Sequence, residues 1–179
     1  VKALTLTFVV TVVLAGVALA APEKDTLSVT ATLKSRFEVP KPAGVPAAAT
    51  GRFTGTAVEQ ENDRARLTWR LTFSKLSGRA LAAHIHIGKA GKAGGVMVGL
   101  CGPCRTGQRG TATITHTQFA TIRAGRAYVN VHTAKNQAGE IRGQLSARET
   151  TSGGGTSPPP PASPPPPPSD DSPPPPPYY

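Results

Sequence analysis

The segment Arg64-Ala-Arg-Leu-Thr-Trp-Arg-Leu-Thr-Phe73 alternates polar and apolar or small side chains without a break. Leu67, Trp69, Leu71 and Phe73 fall on one side, and Arg66, Thr68, Arg70 and Thr72 on the other. Period two marks an antiparallel strand with one face in a core and one in solvent. Thr26–Leu33 and Arg52–Val58 are written in the same style. Further strands are predicted at Leu81–Ile87, Val96–Leu100, Gly110–His116, Ala127–Thr133 and Glu140–Ala147, with turn-forming residues between them. One helical turn is predicted near Thr117–Ala124, with Thr117 as its N-cap. About eight short strands with regular turns predict an all-β domain, either an antiparallel two-sheet sandwich or a small Greek-key barrel.

Both ends of the chain fall outside this pattern. Lys2 is followed by an uncharged run from Ala3 to Ala20 that finishes in Ala18-Leu19-Ala20. A basic start, an apolar stretch and a small-residue end predict a signal peptide over residues 1–20, cleaved before Ala21. The run is close to spanning length, so a retained anchor is the competing reading. No basic stop-transfer cluster follows, which favours export and no integral span after cleavage. From Thr150 the chain turns to Gly and Ser and then to three proline runs, which hold fourteen of its 19 prolines. Proline lacks an amide donor and fixes φ, so these runs take up polyproline II and cannot join a core. Residues 150–179 read as a disordered tail, first as a passive extension and second as a wall spacer or a ligand for aromatic grooves. The folded domain is expected at 21–149, enough chain to bury one core.

The formal charge of +10 narrows the partners. Lysines and arginines are scattered through the domain rather than blocked together, and such a charge suits an anionic envelope polymer or lipid head groups, with an unknown protein as the other expected partner. Nucleic acid is not expected: aromatics make up 5% of the chain and no nucleic-acid motif occurs.

The candidate chemistry lies in Ala83-His-Ile-His-Ile87 and Tyr128-Val-Asn-Val-His-Thr133. Residues two apart in a strand share a face at roughly 6.6–6.8 Å. His84 and His86 therefore project together, and His132 shares a face with Tyr128 and Asn130. Neutral imidazole suits copper and zinc, so the three predict a metal site if their strands are neighbours. The competing reading is structural, because a histidine that donates from one nitrogen and accepts at the other is already satisfied. Asn130, Glu140 and Arg142 are expected to gather with His84 and His132 in a polar network, with Glu140 and Arg142 on one face of the last strand. Asn136–Gly139 reads as the turn before that strand.

Cys101-Gly-Pro-Cys104 equals a thiol-oxidoreductase tetrad. A catalytic thiol of that kind needs a helix N-terminus to lower its pKa, and Gly107 and Gly110 disfavour a helix there. An exported chain with two cysteines usually joins them, so a structural Cys101–Cys104 disulfide is expected.

Ala83–Gly88 with Gly94-Gly-Val-Met-Val-Gly-Leu100 resembles the opening half of the CHRD domain pattern. Tyr128–Thr133 with Asn136-Gln-Ala-Gly-Glu-Ile-Arg-Gly-Gln-Leu145 resembles its closing half, and the likeness spans residues 26–147. Gln137 stands where that pattern has proline. The family is named after chordin, an extracellular developmental regulator, and includes single-domain exported bacterial proteins. The resemblance implies an extracellular β-domain, with a dismutase-like or immunoglobulin-like fold, more firmly than an activity. The His-x-His strand with a later Val-His also resembles part of the copper site of copper–zinc superoxide dismutases. No bridging histidine or His/Asp zinc set accompanies it, and His116 lies in a Thr-rich strand. The function expected is a non-enzymatic CHRD-type binding or structural module, periplasmic or secreted. The alternative is a copper- or zinc-binding protein using His84, His86 and His132, with redox activity open to it.

Overall fold

The computed structural model describes residues 24–150. The expected signal peptide and the proline-rich tail beyond Thr150 lie outside the described residues. Nine strands and one helix follow in order: β1 Thr26–Lys34, β2 Thr50–Gln60, β3 Arg64–Ser74, β4 Ala80–Ile87, β5 Val96–Cys101, β6 Gln108–Thr115, α1 His116–Arg123, β7 Ala127–Thr133, β8 Ile141–Gln144 and β9 Ser146–Glu149. A 3₁₀ turn, Ser35–Phe37, follows β1. No helix among the described residues is long and apolar enough to cross a membrane.

Hydrogen bonding runs along a single path, β5-β4-β7-β8-β1-β2-β3-β6, every pairing antiparallel, with β9 beside β1. Of the two architectures expected, this is the barrel. One sheet curls until its end strands β5 and β6 lie against each other, nearly closing it. Alternation fills the interior: Leu27, Val29 and Leu33 of β1, Phe53 of β2, Leu67 and Leu71 of β3, Ile85 of β4, and Val129 and Val131 of β7 are all fully buried. Trp69 pairs with Gly110 across β3 and β6, and a Cβ on Gly110 would strike the indole, so the large residue needs the small one opposite. Phe119 and Ile122 of α1 join the same core.

Two expectations need correction. The last strand, expected unbroken over Glu140–Ala147, is two strands that part at Leu145. The chain changes partner there: β8 follows β7, while β9 leaves it to pair with Leu27–Thr30 of β1. Leu145 itself is buried, and its N–H goes to the Ala127 carbonyl. The helix is capped by Thr115, not Thr117. Thr115 Oγ1 accepts from the Gln118 amide at 3.2 Å and Gln118 Oε1 accepts from the Thr115 amide at 2.9 Å, a reciprocal capping box.

Candidate metal centre

Because Ala83, Ile85, Val129, Val131 and Ile141 enter the core, their neighbours must project from the outer side of the sheet. Register sets those neighbours in rows across β4, β7 and β8. His86 faces Tyr128, which faces Gln144; His84 faces Asn130, which faces Arg142; Ala82 faces His132. Much of this outer side is shielded from solvent. The β4–β5 loop and the segment after the 3₁₀ turn cover it, leaving His86 7%, Tyr128 2%, and Asn130 and Arg142 1% exposed.

The structure brings the three histidines together. His84 Nδ1 and His132 Nε2 lie 3.0 Å apart. One nitrogen from each of the three rings falls within 4.8 Å of the other two. Backbone carbonyls orient two of the rings: His86 Nδ1 meets Gly94 O at 2.9 Å and His132 Nδ1 meets Gln137 O at 2.8 Å. A carbonyl only accepts, so each Nδ1 carries a proton, and in the neutral ring Nε2 is the nitrogen with the lone pair. His86 Nε2 is buried without a protein partner. Burial, reinforced by the neighbouring imidazoles, holds His84 below its ordinary pKa. Burial does the same to His132 against the raising effect of the Gln137 contact. Both rings are thus biased to the neutral form that metals require.

The donor set fits a metal ion. Zinc–nitrogen bonds of about 2.0–2.1 Å in tetrahedral array put ligand nitrogens about 3.3 Å apart, close to the 3.0 Å between His84 and His132. His86 would have to turn inward to complete the set. The Gly94 and Gln137 carbonyls stand where second-shell acceptors orient metal-bound histidines.

Tyr128 links this centre to its surroundings. Its ring stacks on His86 at 5.0 Å and an angle of 12°, and the Arg142 guanidinium lies 3.3 Å from its centroid. Its hydroxyl donates to Gly94 O at 3.3 Å and accepts from Gly94 N at 3.1 Å, pinning the covering loop.

The expected polar network divides in two. Asn130 and Arg142 occupy the row of His84, and Arg142 Nη2 donates to Lys89 O at 3.0 Å and Lys92 O at 2.8 Å. Glu140 belongs elsewhere. It precedes β8, and its carboxylate accepts from Ser77 N and Ser77 Oγ, both at 2.5 Å, from Thr133 Oγ1 at 2.6 Å and from Asn136 Nδ2 at 3.1 Å. Burial pushes the Glu140 carboxyl up, but these hydrogen bonds outweigh it and hold the group below its ordinary pKa. No ion pair joins Glu140 to Arg142 among the described residues.

His116 is also apart from the centre, at the start of α1, 2.8 Å from Glu59 Oε1. Cys101 and Cys104 form a disulfide, Sγ–Sγ 2.08 Å. A short turn and then β6 follow them, so the tetrad has no helix N-terminus behind it. Among the described residues no second group of metal-ligating side chains accompanies the histidines. The copper–zinc pair of a dismutase therefore has no counterpart here.

Sequence reasoning missed Glu38, Ser77, Thr133 and Gln144. Glu38 is 2% exposed. It lies in an irregular segment where period-two reasoning says nothing. Gln144 had a signal, since it continues the outward face of Arg142 by two residues. Its Nε2 donates to three carbonyls, of Gly88, Gly125 and Ala127, each at 2.9 Å.

No curated protein and no solved structure matches the chain. The CHRD domain family matches residues 29–145, a span that runs from the first strand to Leu145 and takes in all three histidines. With its outer-face histidines and closing turn inside that span, the chain belongs to the CHRD domain family.

Proposed function

We propose that this domain is an exported, non-enzymatic CHRD-type binding module, periplasmic or secreted, that holds a copper or zinc ion on His84, His86 and His132. The observation that carries the reading is the convergence of three imidazole nitrogens, two on rings whose other nitrogen is bonded to a backbone carbonyl. A hydrogen-bonded structural role accounts for His132 and His84, but it leaves the buried His86 Nε2 without a partner. Bound copper would supply a one-electron couple, and bound zinc a Lewis acid. The chain's own residues orient the rings, bias His84 and His132 toward the neutral form and screen His86 from water, while His84 and His132 remain partly exposed. Titrating the purified, chelator-stripped protein with Cu(II) and Zn(II), with elemental analysis of the product, tests this. One ion per chain is expected, falling to a small fraction in His86→Ala and His132→Ala. If wild type retains no metal and chelator leaves its melting temperature unchanged, the histidines are structural.

A second reading concerns an anionic envelope polymer, and the opposite side of the barrel favours it. The outward positions of β9, β1, β2, β3 and β6 carry Arg52, Arg64, Arg66, Arg70, Arg109 and Arg148 among threonines and serines, with no carboxylate. Arginine pairs bidentately with carboxylate and phosphate groups, and the hydroxyls between offer further hydrogen bonds. Retention on an immobilised acidic polysaccharide should weaken steeply with added salt. Retention that salt does not change would remove this reading.

A further inference from the structure

Beside the metal centre, and independent of it, lies a cleft of about 500 Å³. Its floor is Arg142 and Gln144 of β8 with Thr32 of β1, and its walls are Arg36–Val39 with Lys41 on one side and Ala90-Gly91 on the other. The size falls within the range of small-molecule sites, about 300–1,000 Å³.

The polar groups around this cleft are unusual in one respect. Arg142 is 1% exposed, and its Nη1 has no partner. No carboxylate lies within ion-pair distance of it among the described residues. Glu38, 2% exposed, uses Oε1 for the Val39 amide at 3.2 Å and leaves Oε2 near the Asn130 side chain without a well-formed hydrogen bond. Gln144 spends its amide nitrogen on three carbonyls and leaves Oε1 unpaired. Buried polar atoms without partners are rare in folded proteins, and a buried cation with no carboxylate in direct contact is costly. Here all three occur on residues that line one cleft.

We propose that this cleft binds a small organic monocarboxylate with an apolar body. The head group reaches Arg142 Nη1 as the exposed Arg36 and Lys41 side chains swing outward, and these two cations then close over it. Phe37, 43% exposed, gives the apolar body a surface at the mouth, with Val39 and Ala90 beside it. Glu38 selects against dianions, because its carboxyl repels a full second charge but can share a proton with a carboxylate. Burial raises that carboxyl to about 7, against the lowering effects of the Val39 amide, Arg142 and the Asn130 side chain, which keeps such a proton available near neutrality.

The test uses the full-length protein in chelator, so that metal plays no part. Calorimetric titrations with hexanoate, hexanamide and inorganic phosphate are paired with backbone amide NMR. Hexanoate should bind one to one with a Kd of about 1 mM or tighter. Its shifts should centre on Thr32, Phe37, Gly91 and Gln144. Ala90→Trp, a substitution at an exposed residue of the cleft wall, should weaken binding about tenfold or more while the melting temperature holds. Equal affinity for hexanamide or phosphate, shifts centred elsewhere, or unchanged affinity in Ala90→Trp would each overturn the proposal. Because the wild-type shifts need no variant, the result does not depend on any substitution folding.

Discussion

The outward positions of β4, β7 and β8 and those of β1, β2, β3 and β6 obey one alternation rule, yet they end in opposite environments. Around Arg70 the outward side chains meet water. Around Asn130 the β4–β5 loop and the segment after the 3₁₀ turn make a second interior on the outer side of the sheet. Period two sorts residues into two faces, and the loops then decide whether the polar face is a surface or a core. In water an unpaired hydroxyl or guanidinium is solvated at no cost. Under a roof the same group needs a specific partner. Of the six buried side-chain polar atoms without a hydrogen-bond partner among the described residues, five are on Glu38, His86, Asn130, Arg142 and Gln144. Chemistry that depends on position therefore gathers on the covered face, and chemistry that depends on summed charge on the open one.

The contrast should be largest in stability. Glu140→Ala strands the buried Thr133 and Asn136 donors and the half-buried Ser77 donors. A loss of about 3–5 kcal/mol is expected in denaturant unfolding. Thr68→Ala on the open face should change stability by no more than about 0.5 kcal/mol. Glu140 lies outside the covered rows, so similar losses at the two sites would mean that enclosure does not set the cost of an unpaired polar group.

Next in size is a pH-dependent gain. Burial raises the Glu38 carboxyl from an ordinary 4.5 to about 7. Between those values the folded protein holds a proton that the unfolded chain releases, so stability is full below 4.5 and declines as pH rises toward 7. Glu38→Gln removes that decline. Near pH 8 it should stabilise the protein by up to about 3 kcal/mol, a gain that vanishes below pH 4.5. A gain that does not change with pH would mean that packing, not ionisation, sets the cost of Glu38.

The histidines titrate in the opposite sense. His84 and His132 are held below 6.5, so the unfolded chain takes up protons first and metal-free stability should fall as pH drops below 6.5. His84→Ala should flatten that slope. Zinc at a hundredfold excess over its Kd should raise wild-type stability by about 2.7 kcal/mol at neutral pH and progressively less in acid, as protons compete for the rings. Thermal melts across pH with and without zinc separate the two contributions.

What the sequence revealed and what it hid follow from the same contrast. Strand existence and facing were readable wherever alternation was strict, as in Arg64–Phe73 and Ala127–Thr133, because burial of one face writes itself into every second residue. The juxtaposition of His84 with His132 was not readable, since it depends on β4 pairing with β7 across the 39 intervening residues 88–126. The roof was harder still. Glu38 and Ser77 act through irregular segments with no period to betray them, and Gly139 holds φ +135° where a Cβ would strike Glu38 and Asn130. The break at Leu145 escaped because both halves keep alternating and only their partner changes. The Thr115 cap was legible in Thr-His-Thr-Gln, although Thr117 offered a rival hydroxyl two residues on.

The smallest effect examines the open face on its own terms. Arg70 and Arg109 sit directly opposite each other on β3 and β6, both exposed, with Thr54 and Thr30 completing the row and no acid among them. Like charges facing each other across a strand pair oppose folding. Among the described residues no carboxylate forms an ion pair with either, and an external anion could take that place. Arg109→Thr should therefore stabilise the free protein by about 0.2–1 kcal/mol at low ionic strength. The gain should shrink in salt as screening quiets the pair. The same substitution should reduce retention on an acidic polysaccharide and leave metal stoichiometry untouched, since the histidines lie on the other face. If Arg109→Thr destabilises the domain instead, the opposed arginines serve the fold, and the case for a polyanion partner on this face weakens with them.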